Sequence, residues 1–293
     1  MANRLSRPNT TERSTHPHAF GRVVACVALF VFVSALLGCS GERSSDTELI
    51  VTGSTTILPI AEIAGEMFHE LNPDQKVLVS GLGSSAGIET VAAGSSDIGT
   101  SSRDLKPAEE DLGLFDTPIA YDAIAVIVNP ENPIDELTTD QVRTIFAGEV
   151  QNWSEIGGND KDIGLVNRDE ASGTREAFHK IVMGDTPFDR TAAVLPGTGQ
   201  VRSVVANARG AIGYISLGFV NDEVKVVAVD GVVPTAETVV SGEYPVQRLL
   251  HFFTIGPPQG LAADYIEFVL SEAVQQTIVR DAGFTPISGR VVE

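Results

Sequence analysis

The sequence predicts an α/β fold with two lobes and a cleft between them. From Glu48 onward, short β-rich runs alternate with runs whose apolar residues recur at helical spacing, a pattern typical of parallel strands connected by helices. Two longer apolar strands, at 123–133 and 249–257, are placed to carry the chain into a second lobe and to return it. Two α/β lobes joined by two crossings enclose a cleft, where a ligand is expected.

The first lobe is predicted from three strands that each lead into a turn. The strands are ELIVTG, KVLVSGL and DIGTSS, and the helices that follow them are TILPIAEIAGEMFHEL, GIETVAAG and a brief one at PAEEDLG. The last helix, GLAADYIEFVLSEAVQQTIVRDAG, is expected to pack against the same lobe. We therefore assign residues 48–122 and 250–293 to lobe one and residues 123–249 to lobe two.

The second lobe is predicted from the segments between the two crossing strands. They are TTDQVRTIFAGEV, the strand DIGLVNRDE, the helix SGTREAFHKIVM and GAIGYISLG. Trp153 in this lobe has two interpretations: a platform on which a sugar stacks, or a core residue near the junction of the lobes. We assign it to the core, because a single aromatic residue is more often buried than used as a binding surface.

The amino terminus has the pattern of a secretory leader. Four arginines precede an apolar run from Val23 to Leu37, which is shorter than the about 20 residues of a spanning helix. The run ends in Leu-Leu-Gly-Cys, which resembles a bacterial lipobox, although Leu37 is larger than the usual residue there. We predict a signal peptide at 1–38, a lipid on Cys39 and a tether at 39–47. The alternative is an ordinary membrane anchor in which Cys39 has no role.

Charge and cysteine content exclude several classes of protein. The formal net charge is −19, and removing residues 1–38 takes away four arginines and one glutamate, which leaves −22. So acidic a protein has no basic stripe for a phosphate backbone, so we expect no nucleic-acid partner. With Cys26 in the leader and Cys39 lipidated, no disulfide is expected. Without a His or Cys cluster of metal-ligand spacing, we predict no metal and no cofactor.

Three turns share one chemistry, in which glycines and hydroxyl residues follow a strand and precede a helix. The turns are Gly53 to Thr56, Gly81 to Gly87, and Ser172 to Thr174, the last of which follows Arg168. Glycine allows close approach of a ligand, while free helix-start amides and the helix dipole attract an anion. An arginine adds a planar, permanently charged fork. Each turn alone is also explained as an ordinary helix cap.

Seven segments in their order along the chain resemble the phosphate-binding protein of bacterial phosphate-specific ABC transporters. They are GSTT with Pro59, GLGSSAGI, DIGTSSRDLK, AIAVIVNPENP, LTTDQVRTIFAGEVQNWSEIGG, NRDEASGTREAF and GAIGYISLG. The resemblance covers nearly all of residues 48–290, and IFAGEVQNW and RDEASGT are its most specific parts. It implies a two-lobed periplasmic-binding-protein fold that closes about a hinge, binds phosphate with high affinity and passes it to a membrane permease.

The resemblance also implies a set of phosphate-binding residues and a cellular context. The residues, carried over by position, are Thr55, Thr56, Ser84, Ser102, Arg168, Ser172, Gly173 and Thr174. The protein would be exported, held by its lipid on the periplasmic or extracellular face of a bacterial membrane, and monomeric. It would bind its ligand without converting it, so it is not predicted to be an enzyme.

Ser102 is a departure from the pattern of the family. Some members have a carboxylate there, which accepts the proton that phosphate carries and sulfate lacks. A serine hydroxyl accepts a hydrogen bond but does not repel sulfate, so selectivity between the two anions is left open. Asp122, just before the first crossing strand, is a candidate replacement for the proton acceptor. A hinge or capping carboxylate is an equally good interpretation of Asp122.

Other functions remain as alternatives. Gly83 to Gly87 reads GSSAG and matches the G-x-S-x-G elbow of serine hydrolases, with Ser85 as the nucleophile. The histidines of the mature chain, His69, His179 and His251, have no recognisable acid partner in sequence, which disfavours that chemistry. Within the binding class, sulfate or another oxyanion is the nearest competitor to phosphate. Phosphate sensing without transport would need the same site.

Overall fold

A computed structural model describes residues 47–287 of the chain. The predicted leader, Cys39 and the tether up to residue 46 lie outside the described residues, as do residues 288–293. The strands of the described part are β1 (Glu48–Gly53), β2 (Lys76–Gly81), β3 (Ile98–Ser101), β4 (Leu114–Val128), β5 (Glu136–Leu137), β6 (Gly164–Arg168), β7 (Ala193–Leu195), β8 (Ala211–Ser216), β9 (Lys225–Val229), β10 (Gln247–Ile255) and β11 (Thr285–Pro286). Its α-helices are α1 (Leu58–Leu71), α2 (Ser84–Ala92), α3 (Thr139–Phe146), α4 (Gly173–Phe178), α5 (Thr198–Asn207), α6 (Ala236–Ser241), α7 (Gly260–Leu270) and α8 (Glu272–Val274).

Lobe one begins with the predicted order β1, α1, β2, α2 and β3. Strand β1 lies between β2 and β3 and is parallel to both, so all three strands end at the same edge of the sheet. Helix α1 forms because Pro59 sits in its first turn, where a missing N–H costs nothing, and because its apolar residues recur on one face. That face packs Ile60, Ala64 and Phe68 into the core of the lobe.

Strands β4 and β10 cross between the lobes, as the two long apolar runs predicted. The first part of β4 pairs with β10, from Leu114↔Ile255 to Ala123↔Gln247, and its second part, from Ile124, pairs with β8 and β9. Strand β4 starts at Leu114, nine residues before the predicted start at Ala123. Its early residues pair with β10, but only some of them are apolar, so they do not form an apolar run in the sequence. The two crossing strands run in opposite directions, so the sheet is mixed rather than purely parallel.

A bulge marks the crossing in lobe one. Pro118 has no N–H for the ladder, and the register between β4 and β10 shifts between Leu250 and His251, opposite this proline. The bulge leaves Ile119 without a partner residue on β10. The buried side chain of Gln275 donates a hydrogen bond to the Ile119 carbonyl oxygen instead, at 3.1 Å. The chain is thus irregular here without leaving a buried carbonyl unpaired.

Two predicted helices differ from the structure. The brief helix predicted at 107–113 is a single 3₁₀ turn at Glu110–Leu112. The carboxyl-terminal helix is broken at Ser271, whose backbone is extended and whose hydroxyl caps α8, and a π-helical turn follows at Gln275–Val279. Serine competes for backbone donors in this way, and for this reason it often starts a helix.

Each lobe has its own hydrophobic core, and the core of lobe two contains Trp153. This side chain is 1% exposed, and its indole Nε1 donates to the Gly210 carbonyl at 3.0 Å. The core interpretation is therefore confirmed, since a buried ring offers no face for a sugar. None of the helices between residues 47 and 287 combines the length and the apolarity that a membrane span requires.

Candidate anion-binding site

The first two turns of lobe one lie against each other at the edge where β1 and β2 end. The Gly53 carbonyl accepts the N–H groups of Leu82 and Gly83, at 2.8 Å each, which joins the turns. Gly53 has φ +145°, and an added Cβ would lie 2.1 Å from the Thr100 carbonyl oxygen. Only glycine fits so close a contact, so this position is fixed by packing as well as by backbone angle.

Ser84 and Ser102 meet in lobe one behind these turns. Ser84 begins α2 and is fully buried, and its hydroxyl accepts the Ser102 N–H at 3.1 Å. The two hydroxyl oxygens lie 3.3 Å apart, and Ser102 is 1% exposed. Because a hydroxyl can both donate and accept a hydrogen bond, either serine of this pair can donate its proton to an anion.

The predicted residues of lobe two come from the end of β6 and the start of α4. The Ser172 hydroxyl caps α4 by accepting the Arg175 N–H at 3.2 Å, and its own proton remains free to donate. Gly173 faces lobe one, because an added Cβ there would lie 2.3 Å from Ser84 Oγ and 2.8 Å from Ser102 Oγ. Thr174 is 1% exposed.

The structure brings residues of the two lobes into direct contact. Thr56 Oγ1 and Thr174 Oγ1 lie 3.1 Å apart, and the Ser85 N–H donates to the Ala171 carbonyl at 3.2 Å. All eight predicted binding residues therefore belong to one continuous group, which Gly173 and Thr174 connect across the lobes. The two hydroxyl clusters of this group are Ser84 with Ser102, and Thr56 with Thr174.

Arg168 is the charged member of this group, and it is 2% exposed. Its acceptors within residues 47–287 are all uncharged: the carbonyls of Leu195 and Pro196 and two threonine hydroxyls, at 2.8 to 3.2 Å. Burial lowers the pKa of Arg168, and the nearby charge of Arg248 adds to the effect while Asp169 opposes it. An arginine nevertheless stays protonated in a protein, so the site retains a buried positive charge.

Two other buried arginines beside the site have carboxylate partners, and the sequence did not single out either. Arg103, directly after Ser102, binds both oxygens of Glu109 at 2.7 and 2.8 Å. Arg248 binds Asp122 at 2.7 and 3.0 Å and donates to the Ser102 carbonyl at 3.0 Å. Each is thus hydrogen-bonded to a carboxylate, whereas Arg168 has no carboxylate among its hydrogen-bond partners within residues 47–287.

Thr198 is a further hydroxyl residue of this group, which the sequence did not single out. It begins α5, is 1% exposed, and lies 3.2 Å from Thr55 Oγ1 and 3.5 Å from Thr56 Oγ1. The signal that could have found it is the same as in the three predicted turns. The short strand β7 leads through Pro196 and Gly197 into a helix that starts with a threonine.

Asp122 does not reach the hydroxyl clusters. It is 2% exposed, and its oxygens accept from Ser216 at 2.7 Å and from Arg248. Burial raises the pKa of Asp122 and lowers that of Arg248, and the charge of each opposes the shift in the other. Both carboxylate oxygens of Asp122 therefore already accept hydrogen bonds, and Arg248 lies between Asp122 and Ser102. This geometry favours the structural interpretation of Asp122 over its role as the proton acceptor.

Two further observations bear on the alternatives. The Ser85 hydroxyl lies 3.4 Å from Arg103 Nη2, while His251 Nδ1 bonds Asp116 at 2.8 Å, so no hydrogen bond of residues 47–287 joins Ser85 to a histidine.

A surface cavity of about 570 Å³ opens in lobe two, lined among others by Asp162 and Asp189. It contains none of the hydroxyl clusters and has no basic residue in its lining, so it does not suit an anion.

Comparisons with known proteins agree on one family. The model of a PBP superfamily domain matches residues 40–273. The chain is 34% identical over 252 residues to the phosphate-binding protein PstS of Bacillus subtilis, which covers 85% of this chain and 83% of the relative. It is 30% identical over 276 residues to PstS of Borreliella burgdorferi, covering 89% and 98% of the two chains.

A solved structure from the same family has a closely similar fold. It is the crystal structure, with bound phosphate, of a protein from Clostridium perfringens assigned as a phosphate ABC transporter substrate-binding protein. The identity is 37%, the TM-score is 0.79, and the match covers 82% of this chain and all of the other. The two-lobed fold predicted from the sequence is therefore confirmed.

Proposed function

Because this chain belongs to the family of phosphate-binding proteins within the PBP superfamily, we propose that it binds inorganic phosphate between its lobes and delivers it to an ABC importer. Relatives that carry this name bind and transport their ligand, and binding without chemical conversion is the activity proposed here. Phosphate stands ahead of other oxyanions because the relatives across nearly the whole chain are phosphate-binding proteins.

The single observation that carries the proposal is that the buried guanidinium of Arg168 is hydrogen-bonded only to neutral acceptors within residues 47–287. An isolated charge inside a protein costs several kcal/mol unless it is paired, so a fold retains one where a ligand supplies the opposite charge. Arg103 and Arg248 lie close by and show the usual solution, a carboxylate partner. At Arg168 the anion itself takes the place of the carboxylate.

The remaining donors are uncharged and come from both lobes. Thr55, Thr56, Ser84 and Ser102 belong to lobe one, and Ser172, Gly173 and Thr174 to lobe two. On binding, phosphate oxygens replace the hydroxyl–hydroxyl contacts that now join the lobes, such as Thr56 with Thr174. Donors of this number and polarity hold a buried anion without a metal or a second cation.

Supply of donors from both lobes links binding to closure. A ligand that contacts both lobes at once stabilises the closed form by its difference in affinity for the two forms. In this way the permease can distinguish the loaded protein from the open one. We propose lobe boundaries at 122/123 and 249/250, the first of which lies close to the point where β4 exchanges β10 for β8 as its partner.

The cellular setting follows from the leader and the family. We propose that residues 1–38 direct export, that Cys39 carries a lipid, and that the tether up to residue 47 leaves the lobes free on the outer side of a bacterial membrane. The protein would act as a monomer that docks a membrane permease. Mass spectrometry of the mature protein would test the lipid at Cys39, and an unmodified amino terminus elsewhere would contradict it.

Titration calorimetry is the test of the binding function. The protein spanning residues 40–293 would be unfolded and refolded to remove carried ligand, then titrated with phosphate and with sulfate. Tight phosphate binding without a sulfate response supports the proposal and requires a group that replaces the absent carboxylate at Ser102. Comparable binding of both anions makes the protein a general oxyanion binder. If neither binds, the proposal is wrong, and hydrolysis by Ser85 is tested next.

A further inference from the structure

We propose that Thr198 is a positioning residue of the phosphate site, which fixes the guanidinium of Arg168 in the orientation that binds the anion. The proposal rests on the phosphate-binding function and adds to the predicted site a further segment, Leu195 to Thr198, that no resemblance in the sequence pointed to. Thr198 is 1% exposed, so its hydroxyl must find its partners inside the protein.

The segment Leu195 to Thr198 holds all three nitrogens of the Arg168 side chain. Nε donates to the Leu195 carbonyl at 3.1 Å, Nη2 to the Pro196 carbonyl at 2.8 Å, and Nη1 to Thr198 Oγ1 at 3.1 Å. Three acceptors on one short stretch of chain hold the planar guanidinium in a single orientation. Two of them are backbone oxygens, so Thr198 is the one acceptor of this segment that a substitution can remove.

The acceptors are neutral, and this neutrality matters for the function. A carboxylate at the same place would orient the guanidinium equally well, as Asp122 does for Arg248. It would also cancel the charge that phosphate needs, and it would repel the anion. A threonine supplies the hydrogen bond and leaves the charge of Arg168 available.

Thr198 also connects Arg168 to the opposite lobe. Its hydroxyl accepts from Arg168, so its own proton is free for Thr55 Oγ1 at 3.2 Å or Thr56 Oγ1 at 3.5 Å. Arg168 Nη2 reaches the same Thr55 at 3.2 Å. The orientation of the arginine and the closure of the lobes therefore share one hydroxyl, which couples them.

Three substitutions separate this role from a merely structural one. Thr198→Val keeps the shape and removes the hydroxyl, Thr198→Ser restores the hydroxyl, and Thr198→Asp keeps an acceptor but adds a negative charge. We expect the valine variant to bind phosphate about 10- to 100-fold more weakly, the loss typical of a hydrogen bond to a charged group. The serine variant should recover most of the affinity, and the aspartate variant should bind more weakly than the valine variant.

The experiment is phosphate calorimetry of each variant of residues 40–293, together with thermal unfolding without phosphate. Thr144→Val is the matched control, because Thr144 lies in α3 of the same lobe and its hydroxyl donates to the Gln141 carbonyl, its one hydrogen bond within residues 47–287. Unchanged affinity in the valine variant, while the wild type binds phosphate, overturns the positioning role alone. Failure of the wild type to bind overturns the proposed function instead. Should the valine variant not fold, Thr198→Ala takes its place.

Discussion

At the scale of single residues, the partner of each buried arginine decides its role. Arg103 and Arg248 each bind a carboxylate through two nitrogens, a geometry that satisfies both charges inside the protein. Arg168 has only carbonyl and hydroxyl partners within residues 47–287, and one of them, Thr55, belongs to the opposite lobe. This difference supports a structural role for Arg103 and Arg248 and the ligand-binding role that we propose for Arg168.

Arg168→Ala tests the ligand-binding role. Phosphate affinity should fall at least about 100-fold, or about 2.8 kcal/mol, because the variant loses the charge and several hydrogen bonds. Thermal stability without phosphate should not fall, since the variant no longer buries a charge whose hydrogen-bond partners are all neutral. Calorimetry and thermal unfolding measure the two effects. Wild-type affinity in this variant would contradict the assignment of the site.

Asp122→Asn tests the structural interpretation of the Asp122–Arg248 pair. Removing one partner leaves Arg248 buried without a counter-charge, which should lower the free energy of unfolding by about 3–5 kcal/mol. Denaturant unfolding at neutral pH without phosphate measures this loss. Unchanged stability together with a new pH dependence of phosphate affinity would instead identify Asp122 as the proton acceptor.

At the scale of elements, the strand ends and the helix starts place the donors, and glycines allow the two lobes to approach. Gly83 has φ +101°, and an added Cβ there would lie 2.8 Å from the Ala171 carbonyl oxygen of the opposite lobe. Gly173 at the start of α4 is the counterpart in lobe two, directed at Ser84 and Ser102. A side chain at Gly83 would also strain the backbone in the open form, because of the positive φ. At Gly173 the close contact exists only while the lobes are together, so a side chain there acts on closure more than on folding.

Gly173→Ala should therefore weaken phosphate binding while the fold persists. Its new methyl group would lie 2.3 Å from Ser84 Oγ in the closed form, and it meets no such obstacle once the lobes separate. We expect at least about tenfold weaker binding, within the range of costs for overpacking a close contact. Gly199→Ala is the control, since nothing lies within 4 Å of a Cβ at that helix start. Equal affinities of the two variants would show that closure tolerates the methyl group.

At the scale of the whole molecule, ion pairs join the lobes beside the hydroxyl clusters. Glu176 of α4 lies 2.7 Å from Lys106 Nζ and 3.3 Å from Arg103 Nε, both on the loop that follows Ser102. Lys180 reaches Asp104 of the same loop at 3.2 Å. Arg103 keeps Glu109 as a partner when the lobes part, so opening costs Glu176 its pairs without leaving a buried charge unpaired.

Glu176→Gln should shift the molecule toward the open form. The glutamate side chain is 33% exposed, so its pairs are partly screened and contribute about 0.5–1 kcal/mol, a two- to fivefold loss of phosphate affinity. The loss should be larger at low ionic strength, where surface charges are less screened. Phosphate dissociation rates at two salt concentrations measure it, with Glu237→Gln, an exposed glutamate of the same lobe, as the control. A loss that is independent of salt would argue against an electrostatic contribution.

The sequence by itself determined the fold class and most of the candidate site. Alternating strands and helices, with glycine and hydroxyl residues at each strand end, are local patterns, and local propensity fixes them. The predicted residues of lobe one therefore lie together, because the parallel strands β1, β2 and β3 end at one edge, and they meet those of lobe two only where the lobes touch. The two long crossing strands were also readable, since a buried strand is an apolar run.

Only the tertiary structure decided which charges and hydroxyls have partners. Thr198 meets Thr55 across 143 residues of chain, and Arg248 meets Asp122 across 126. No local pattern encodes such pairs, so the sequence left Thr198 unnoticed and the role of Asp122 open. Whether a buried charge is cancelled depends on the atoms within a few ångströms of it, and folding alone brings those atoms together.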